Sequence, residues 1–379
     1  MRSIFSVVVT VFALLALGAC ERTPAPLGAK LSVAQAMGGD ADARFARARE
    51  PRELRFPDDH GPQPSFQTEW WYFTGNLADA SGREFGCQVT FFRRATRVDA
   101  PQSSSAWSSR DVYMAHFALS DVAGGKFHAF ERFERGALEL AGAQLEPQWR
   151  VWNRDWSASG SLAPNEATRL VAEEDGVRVE LELRALTRPV LNGERGFSRK
   201  GDGDGAASYY YSLPRMEAAG RIVVDGREHQ VRGRVWFDRE WSTSALEAPQ
   251  VGWDWFALRL GDAGELMLYS MRRSDGARDR HASGTWTDAR GVGTTLDADD
   301  FEIEVLDHWT SPRTGVRYPS RWRVRVPARE LELELTPLLA DQELDHAVRY
   351  WEGAVRIEGA LRGVRIDSRG YVELAGYGS

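Results

Sequence analysis

The sequence predicts an all-β protein built from two sandwiches or closed barrels. Beyond Leu54, short runs alternate apolar and polar side chains with a period of two, which is typical of antiparallel strands. Turn-forming clusters such as Asp225-Gly226 separate these runs. The 379 residues are enough for two domains with separate cores. We expect closed sheets, because closure removes exposed strand edges.

The predicted strands follow one another through the whole of this region, and helices are few. The first strand is the segment EWWYFTGNL at 69–77. The later runs lie at 85–92, 113–119, 148–152, 177–183, 221–224, 231–237, 253–260, 266–272, 301–305, 321–326, 331–335, 354–357 and 371–374.

Composition narrows the classes of function. The net charge of -7, with acidic and basic residues interspersed, argues against a nucleic-acid binder, which needs a basic face. The 14 tryptophans are the main departure from average composition. They indicate either large strand-built cores or a cavity for an apolar guest, since each indole contributes much buried area.

The N-terminus has the pattern of an export signal. Residues 4–17 form an apolar run that is too short to span a bilayer comfortably, so 1–19 are interpreted as a signal peptide. The run ends in LGAC at 17–20, which resembles a bacterial lipoprotein box with Cys20 as the acylated residue. Glu21 then favours the outer membrane, facing the periplasm. An ordinary secretory cleavage site is the alternative. Residues 20–53 are predicted to be a flexible tether.

Cysteine and histidine counts argue against disulfide and metal sites. Cys20 and Cys87 are the only cysteines, and Cys87 lies in an apolar strand pattern, so we expect it to be a small buried side chain. His60, His116 and His308 lack the close spacing of metal ligands. We therefore expect no metal site.

A domain junction is predicted near Pro214. The polar stretch 192–207 suggests a long loop before it, and 219–226 opens a new hairpin after it. The predicted domains are therefore 54–214 and 215–379.

Acidic residues recur beside aromatic residues on the predicted strands. Glu69 shares one face of its strand with Trp71 and Phe73. In VWFDREWS at 235–242, Trp236, Asp238 and Glu240 share one face, and the other face carries Phe237, Arg239 and Trp241. In GWDWF at 252–256, Asp254 shares a face with Phe256. An unpaired buried carboxylate is costly, so these acids need an explanation.

Two interpretations of these acids remain open. In the first, Glu69, Arg239 and Glu240 belong to buried ion pairs that fix strand register, with Glu69 bound to Arg239 at the seam between the barrels. In the second, one of the acids faces a ligand cavity, where loss of solvent raises its pKa and makes it a proton donor; the candidates are Asp238, Glu240, Asp254 and Glu69.

Several segments resemble a known family. These are 56–77, SYYYSLPRMEAAG at 208–220, 235–242, 252–260, 318–324, YWEGAVRIEG at 350–359 and GYVELAGY at 370–377. Together they resemble the AttH-type lipocalin-like proteins, which include the carotenoid 1,2-hydratases (hydroxyneurosporene synthases) and many predicted secreted hydrolases. The resemblance implies two lipocalin-like antiparallel β-barrel domains packed together. It also implies an apolar isoprenoid or lipid ligand, and in many relatives a link to ABC-transporter permeases of the lipoprotein-releasing type.

The resemblance also indicates site residues. The catalytic candidates are Asp238, Asp254 and Trp241. The hydratase branch has a His-x-Trp pair where this chain has Arg239 and Trp241, and arginine cannot shuttle a proton at neutral pH. The candidate ligand-binding aromatics are Trp71, Tyr72, Tyr209, Tyr211, Trp236, Trp253 and Trp255.

Three hypotheses of function follow. The first is a lipid-anchored envelope protein that binds a long apolar ligand and exchanges it with a transporter. The second is a cofactor-free hydro-lyase or hydrolase that protonates an isoprenoid double bond with a carboxylic acid. The third is a structural protein whose acids are all neutralised by arginines. Binding alone predicts paired carboxylates around an apolar cavity, whereas catalysis predicts an unpaired one.

Overall fold

The structure is a computed structural model that describes residues 43–99, 103–243 and 246–378. It is nearly all strand, as the alternating pattern predicts. The described residues contain four short 3-10 helices, at Asp58–His60, Gly261–Ala263, Ala298–Asp300 and Pro327–Arg329. No helix in the described part of the chain is long and apolar enough to cross a membrane. The predicted signal peptide and Cys20 lie outside the described residues.

Within the part of the chain that the structure describes, the first thirteen strands form one antiparallel sheet. They are β1 (Thr68–Asp79), β2 (Glu84–Ala95), β3 (Asp111–Asp121), β4 (Lys126–Arg135), β5 (Ala141–Gln144), β6 (Trp149–Asn153), β7 (Trp156–Gly160), β8 (Ala167–Glu174), β9 (Val177–Ala185), β10 (Val190–Leu191), β11 (Phe197–Arg199), β12 (Ala207–Val224) and β13 (Arg227–Ser242). Their main order is β4-β3-β2-β1-β13-β12-β9-β8-β7-β6-β5. The sheet curls on itself, because β6 comes back into contact with β2, β3 and β4.

The remaining ten strands form the second antiparallel sheet. They are β14 (Gln250–Arg259), β15 (Gly264–Arg273), β16 (Ser283–Asp288), β17 (Gly293–Leu296), β18 (Glu302–Thr310), β19 (Arg317–Val326), β20 (Leu331–Pro337), β21 (Glu343–Asp345), β22 (Arg349–Leu361) and β23 (Val364–Ala375). Their main order is β17-β16-β15-β14-β23-β22-β20-β19-β18, and β21 pairs with β22. The predicted pair of curled, lipocalin-like β domains is confirmed.

The domain junction expected near Pro214 does not separate the two sheets. Pro214 lies inside β12, where the register with β13 shifts between Leu213 and Met216. Proline has no N–H for the ladder, so within a strand it is accommodated at such an irregularity. The chain passes from the first sheet to the second between Ser242 and Gln250. Pro214 is therefore part of the long β12–β13 hairpin, and the polar stretch 192–207 leads into β12 within the first sheet.

Three of the four apolar clusters among the described residues make up most of the interior. The first lies inside the first sheet and contains Trp71, Phe73 and Trp241. The second lies inside the second sheet and contains Phe256 and Trp322. A third, with Tyr72 and Trp255, lies at the seam where the sheets pack together. Strands β1, β12, β13 and β14 are thus buried on both faces. Cys87 is buried in the first cluster, as predicted.

Candidate functional site

A cavity of about 130 Å³ lies at the seam between the two sheets. Its wall is mainly aromatic, which suits an apolar guest. The aromatic lining residues are Trp70, Tyr72, Phe92, Tyr210, Trp253, Trp255, Tyr269 and Tyr350. The polar lining residues are Lys200, Ser208, Asp238, Glu240, Ser242, Glu352 and Glu373.

Alternation along β13 sends Asp238 and Glu240 toward this cavity. Phe237 and Arg239, on the other face, point into the first sheet's interior. In the neighbouring strand β12, Tyr210 lies directly opposite Glu240. The faces predicted from the sequence for β13 are therefore confirmed, and the structure shows which of them meets the second sheet.

Asp238 is a buried acid held by neutral donors. The Tyr210 hydroxyl donates to Oδ2 at 2.5 Å, and Oδ1 accepts from the Ser212 hydroxyl at 2.6 Å and the Trp236 indole at 2.7 Å. Burial raises the pKa of Asp238 to about 7, although these three hydrogen bonds favour the carboxylate. Asp238 can therefore exchange a proton near neutral pH.

Glu240 has a different environment from Asp238, two residues away. The Lys200 ammonium lies 3.3 Å from Glu240 Oε1, which also accepts a hydrogen bond from Ser208. Burial favours the neutral amine of Lys200, but the charge of Glu240 and the Tyr269 hydroxyl outweigh this and raise the Lys200 pKa. Glu240 is thus in an ion pair, as predicted, but with Lys200 and not with an arginine.

Glu352 and Glu373 form a pair of carboxyl groups across two strands. They are direct partners in the register of β22 and β23. The Tyr72 hydroxyl donates to Glu352 Oε1 at 2.5 Å, and Oε2 is buried without a hydrogen-bond partner among the described residues. Burial and the nearby Glu373 raise the pKa of Glu352 well above its usual range. Burial raises the pKa of Glu373 to about 7.

Asp238, Glu352 and Glu373, called the cavity acids below, share one property. Within the described residues none of them has a cationic partner, and Lys200 is the only cation in the cavity wall. Like charges at short range cannot all ionise, so the cluster retains protons at neutral pH. The cavity therefore combines an apolar wall with carboxylic acids able to donate protons.

Glu69 lies elsewhere, in what we call the ionic cluster of Glu69, Arg93 and Arg239. Both guanidinium groups donate to the Glu69 carboxylate, and all three side chains are almost fully buried. Burial opposes ionisation, but the charges of Arg93 and Arg239 and the N–H of Gln63 lower the Glu69 pKa. The predicted Glu69–Arg239 pair is confirmed. Its predicted position at the seam is wrong, because Glu69 shares the inward face with Trp71.

Only some of the predicted ligand-binding aromatic residues line the cavity. Tyr72, Trp253 and Trp255 line the cavity. Trp236 lies behind the wall, against Trp255, and positions Asp238. The other three lie inside the first sheet and do not line the cavity: Trp71, Tyr209 and Tyr211.

Two of the three catalytic candidates are also outside the cavity. Asp254 shares the face of Phe256, where Arg272 Nε lies 2.9 Å from Oδ1 and the Tyr377 hydroxyl donates at 3.1 Å. Burial raises the pKa of Asp254 despite these partners. Trp241 packs inside the first sheet beside Arg239. Of the three catalytic candidates, only Asp238 lines the cavity. Asp254 and Trp241 lie on the faces of their strands that point away from it.

Four cavity residues are not among the predicted site residues: Lys200, Tyr210, Glu352 and Glu373. The predicted tyrosines, Tyr209 and Tyr211, lie on the opposite face of β12 from Tyr210. Glu352 and Glu373 stand in the segments YWEGAVRIEG and GYVELAGY. An acid among strand aromatics was the signal used for Asp238, and it was present at both positions.

The described ranges contain no group of three or more His, Cys, Asp or Glu side chains arranged to hold a metal ion. The acids of the cavity face aromatic rings and hydroxyl groups. Their environment suits proton transfer to or from an organic guest.

The sequence matches the AttH-like family over residues 47–377, and the chain belongs to that family. The crystal structure of an AttH-type protein from Nitrosomonas europaea is 35% identical, covers 88% of this chain and 100% of its own, and superposes with a TM-score of 0.78. No curated protein matches the chain.

Two more distant structures share the fold. Kievitone hydratase from Nectria haematococca is 15% identical, with a TM-score of 0.65 over 88% of this chain and 98% of that one. CghA, in a crystal structure with Sch210972, is 14% identical, with a TM-score of 0.54 over 89% of this chain and 97% of that one. At these identities the likeness shows the two-sheet fold alone.

Proposed function

We propose that this protein is a cofactor-free hydro-lyase that adds water to a double bond of an apolar, isoprenoid-like substrate. The observation that carries the proposal is the set of cavity acids, which lack cationic partners and face an aromatic wall. A binding protein has no use for several costly unpaired carboxyl groups. An acid catalyst needs them, because desolvation keeps the proton on the acid until the substrate takes it.

In the first step a cavity acid protonates the double bond. Glu352 is suited to this role, because its raised pKa keeps it protonated at neutral pH and its Oε2 atom has no hydrogen-bond partner among the described residues. The proton forms a bond to one alkene carbon, and the other becomes a tertiary cation. Faces of rings such as Trp255 and Tyr72 stabilise that cation.

In the second step water captures the cation. Asp238 has a pKa of about 7 and so can accept the proton that water loses as its oxygen bonds to carbon. One proton leaves Glu352 and one arrives at Asp238, so the net reaction is addition of water. A return of the proton through the coupled acids, with Glu373 between them, restores the starting state.

The size of the cavity indicates which part of a substrate reacts. About 130 Å³ is close to the volume of roughly 150 Å³ that holds a benzene molecule in an engineered protein cavity. A terminal five-carbon isoprenoid unit fits such a space, and a whole carotenoid does not. The reacting double bond is therefore at the end of the substrate. The rest of the substrate leads out of the cavity past Trp70 and Phe92, which are half-buried.

Two further points support hydration. Arg239 stands where the hydratase-type histidine is expected, but it points into the first sheet and binds Glu69, so this departure takes no group from the cavity acids. Kievitone hydratase, whose name is that of a hydratase, shares the two-sheet fold.

The test incubates the full chain with isoprenoid alcohols and carotenes of increasing length in water labelled with heavy oxygen. We expect label to appear in the product as a tertiary alcohol. Glu352→Gln is expected to lose about 100-fold or more in rate, the usual contribution of a general acid, with binding kept in tryptophan-fluorescence titrations. Asp254→Asn is the control and should retain turnover, because it lies outside the cavity.

The second candidate function is a carrier of the same class of apolar molecule, favoured by the aromatic wall. In that case Cys20 carries the acyl chains, the protein stands on the outer membrane facing the periplasm, and it exchanges its ligand with an ABC-transporter permease. This candidate is tested on native protein in which mass spectrometry shows acylation of Cys20. Binding of the probe without incorporation of the oxygen label would favour the carrier over the hydro-lyase.

A further inference from the structure

A line of hydrogen-bonding side chains runs from the outer surface to Glu352. At its outer end, Glu131 on β4 lines a surface groove, and its side chain is 13% exposed. Glu131 lies opposite His116 in the register of β3 and β4, with Oε1 at 3.0 Å from His116 Nε2. His116 Nδ1 then lies 2.6 Å from the hydroxyl of Tyr350, which is part of the cavity wall.

The inner end of this line reaches the proposed acid. Tyr350 and Glu352 are two residues apart on β22, so they share a face, and both line the cavity. The Tyr350 hydroxyl interacts with the Glu352 carboxyl group and favours its charged form. Glu352 Oε2 still has no hydrogen-bond partner among the described residues. The contact between Tyr350 and Glu352 is therefore the weakest on this line.

Each group on the line can both accept and donate a proton. Burial opposes ionisation of Glu131, but its interactions with the His116 ring and with the N–H of Ala347 outweigh burial and lower the Glu131 pKa. Glu131 is therefore ionised at neutral pH and accepts from His116 Nε2, which leaves Nδ1 to accept from the Tyr350 hydroxyl. A histidine between a solvent-accessible carboxylate and a buried hydroxyl is a common proton shuttle.

The other groups around His116 do not interrupt the line. The His346 ring is 6.0 Å away, and burial lowers its pKa, so it is neutral and adds no competing charge. The ring of Phe92 packs edge-on against His116, and the Tyr350 ring stacks on it. His116 is therefore fixed in orientation by its neighbours, with one nitrogen toward each end of the line.

We infer that Glu131, His116 and Tyr350 form a proton path between the surface groove and Glu352. Inward transfer uses the other neutral tautomer of His116, with its proton on Nδ1. Tyr350 then gives its hydroxyl proton to ionised Glu352, His116 Nδ1 gives its proton to the Tyr350 oxygen, and Nε2 takes up the proton that entered from solvent at Glu131. One proton enters at Glu131 and one arrives at Glu352, so the transfer balances and leaves His116 protonated on Nε2. In the hydration proposed above, on which this role in turnover rests, the path exchanges protons between the cavity acids and solvent while the substrate fills the cavity, in addition to the return of the proton from Asp238 through Glu373.

The path can be tested without any substrate. A protonated buried carboxyl group has its own infrared band, and that band shifts when the proton exchanges for deuterium. After rapid dilution of the full chain into heavy water, we expect a band that is absent from Glu352→Gln. Tyr350→Phe, which keeps the ring, is expected to slow the shift by about tenfold or more, equivalent to about 1.4 kcal/mol on the barrier. Glu131→Gln should slow it in the same direction.

Tyr72→Phe is the matched control, because it removes the other hydroxyl that bonds Glu352 and lies off the path. If Tyr72→Phe slows exchange as much as Tyr350→Phe does, or if Tyr350→Phe has no effect, the path is wrong. If Glu352→Gln leaves every such band in place, Glu352 is not the protonated end and the path is also wrong. Slowed exchange in a protein that hydrates no alkene would keep the path and remove the hydro-lyase proposal.

Discussion

The ionic cluster and the cavity acids both contain buried carboxyl groups, but they lie in different places: the ionic cluster is inside the first sheet, and the cavity acids, which come from both sheets, are at the seam. Glu69 of the ionic cluster binds Arg93 and Arg239, and its pKa is lowered. Asp238 and Glu352 have hydroxyl partners and no cation within the described residues, and their pKa values are raised. All of these residues are Asp or Glu. The partner of each carboxyl group decides whether it is a structural anion or a proton donor.

The largest effect is expected on the ionic side of this comparison. Glu69→Gln leaves the buried guanidinium of Arg239 without its carboxylate, and removing one partner of a buried ion pair costs about 3–5 kcal/mol. We expect a loss of this size in the free energy of unfolding, measured by urea denaturation at neutral pH. The double variant Glu69→Gln, Arg239→Met should recover part of the loss. A loss below about 1 kcal/mol would mean that Glu69 is not the anchor of a buried cluster.

The cavity side should show the opposite dependence on pH. The folded pKa of Asp238, about 7, is above its ordinary value of 3.8, so the folded state holds more protons than the unfolded state between these values. Stability from this group is therefore complete at low pH and falls as the pH rises toward about 7. Asp238→Asn should make the slope of stability against pH shallower, by up to about 1.4 kcal/mol per pH unit.

Urea midpoints of wild type and Asp238→Asn at several pH values between about 4 and 8 measure this difference. Glu69→Gln is the contrasting variant. The lowered pKa of Glu69 gives stability that is present above its ordinary value of 4.5 and is lost as the pH falls below it. Identical pH slopes for wild type and Asp238→Asn would contradict the assignment of Asp238 as a group that titrates near neutral pH.

The smallest effect is expected for Asp254, which is intermediate between the two groups. It is buried and has Arg272 as a partner, but Arg272 also donates to the Ala375 carbonyl and stacks on Tyr377. Asp254→Asn should therefore lower the free energy of unfolding by about 1 kcal/mol, close to one net hydrogen bond. Thermal unfolding with a parallel binding assay would check this. A selective loss of ligand affinity would show that Asp254 acts in the cavity after all.

Alternation along the strands was enough to predict which side chains share a face. The sets Glu69 with Trp71, and Asp238 with Glu240, are confirmed. The same pattern could not show which face meets a cavity, because β1, β12 and β13 are aromatic on both sides. The pattern therefore also predicts Trp71 and Tyr211 as ligand-binding residues, although both lie inside the first sheet. A period of two separates the side chains of a strand into two faces, but it does not show which face lines the cavity.

The sequence by itself determined the all-β class, the two curled sheets, the family and the presence of acids beside aromatics, because strand periodicity and local motifs depend on near neighbours in the chain. Only the tertiary structure decided which acids are paired. Lys200, Asp238, Glu352 and Glu373 come from four separate strands or loops, and they meet only where the second sheet packs on the first. A carboxyl pKa depends on burial and on charges within a few ångströms, and those are set by packing between distant segments.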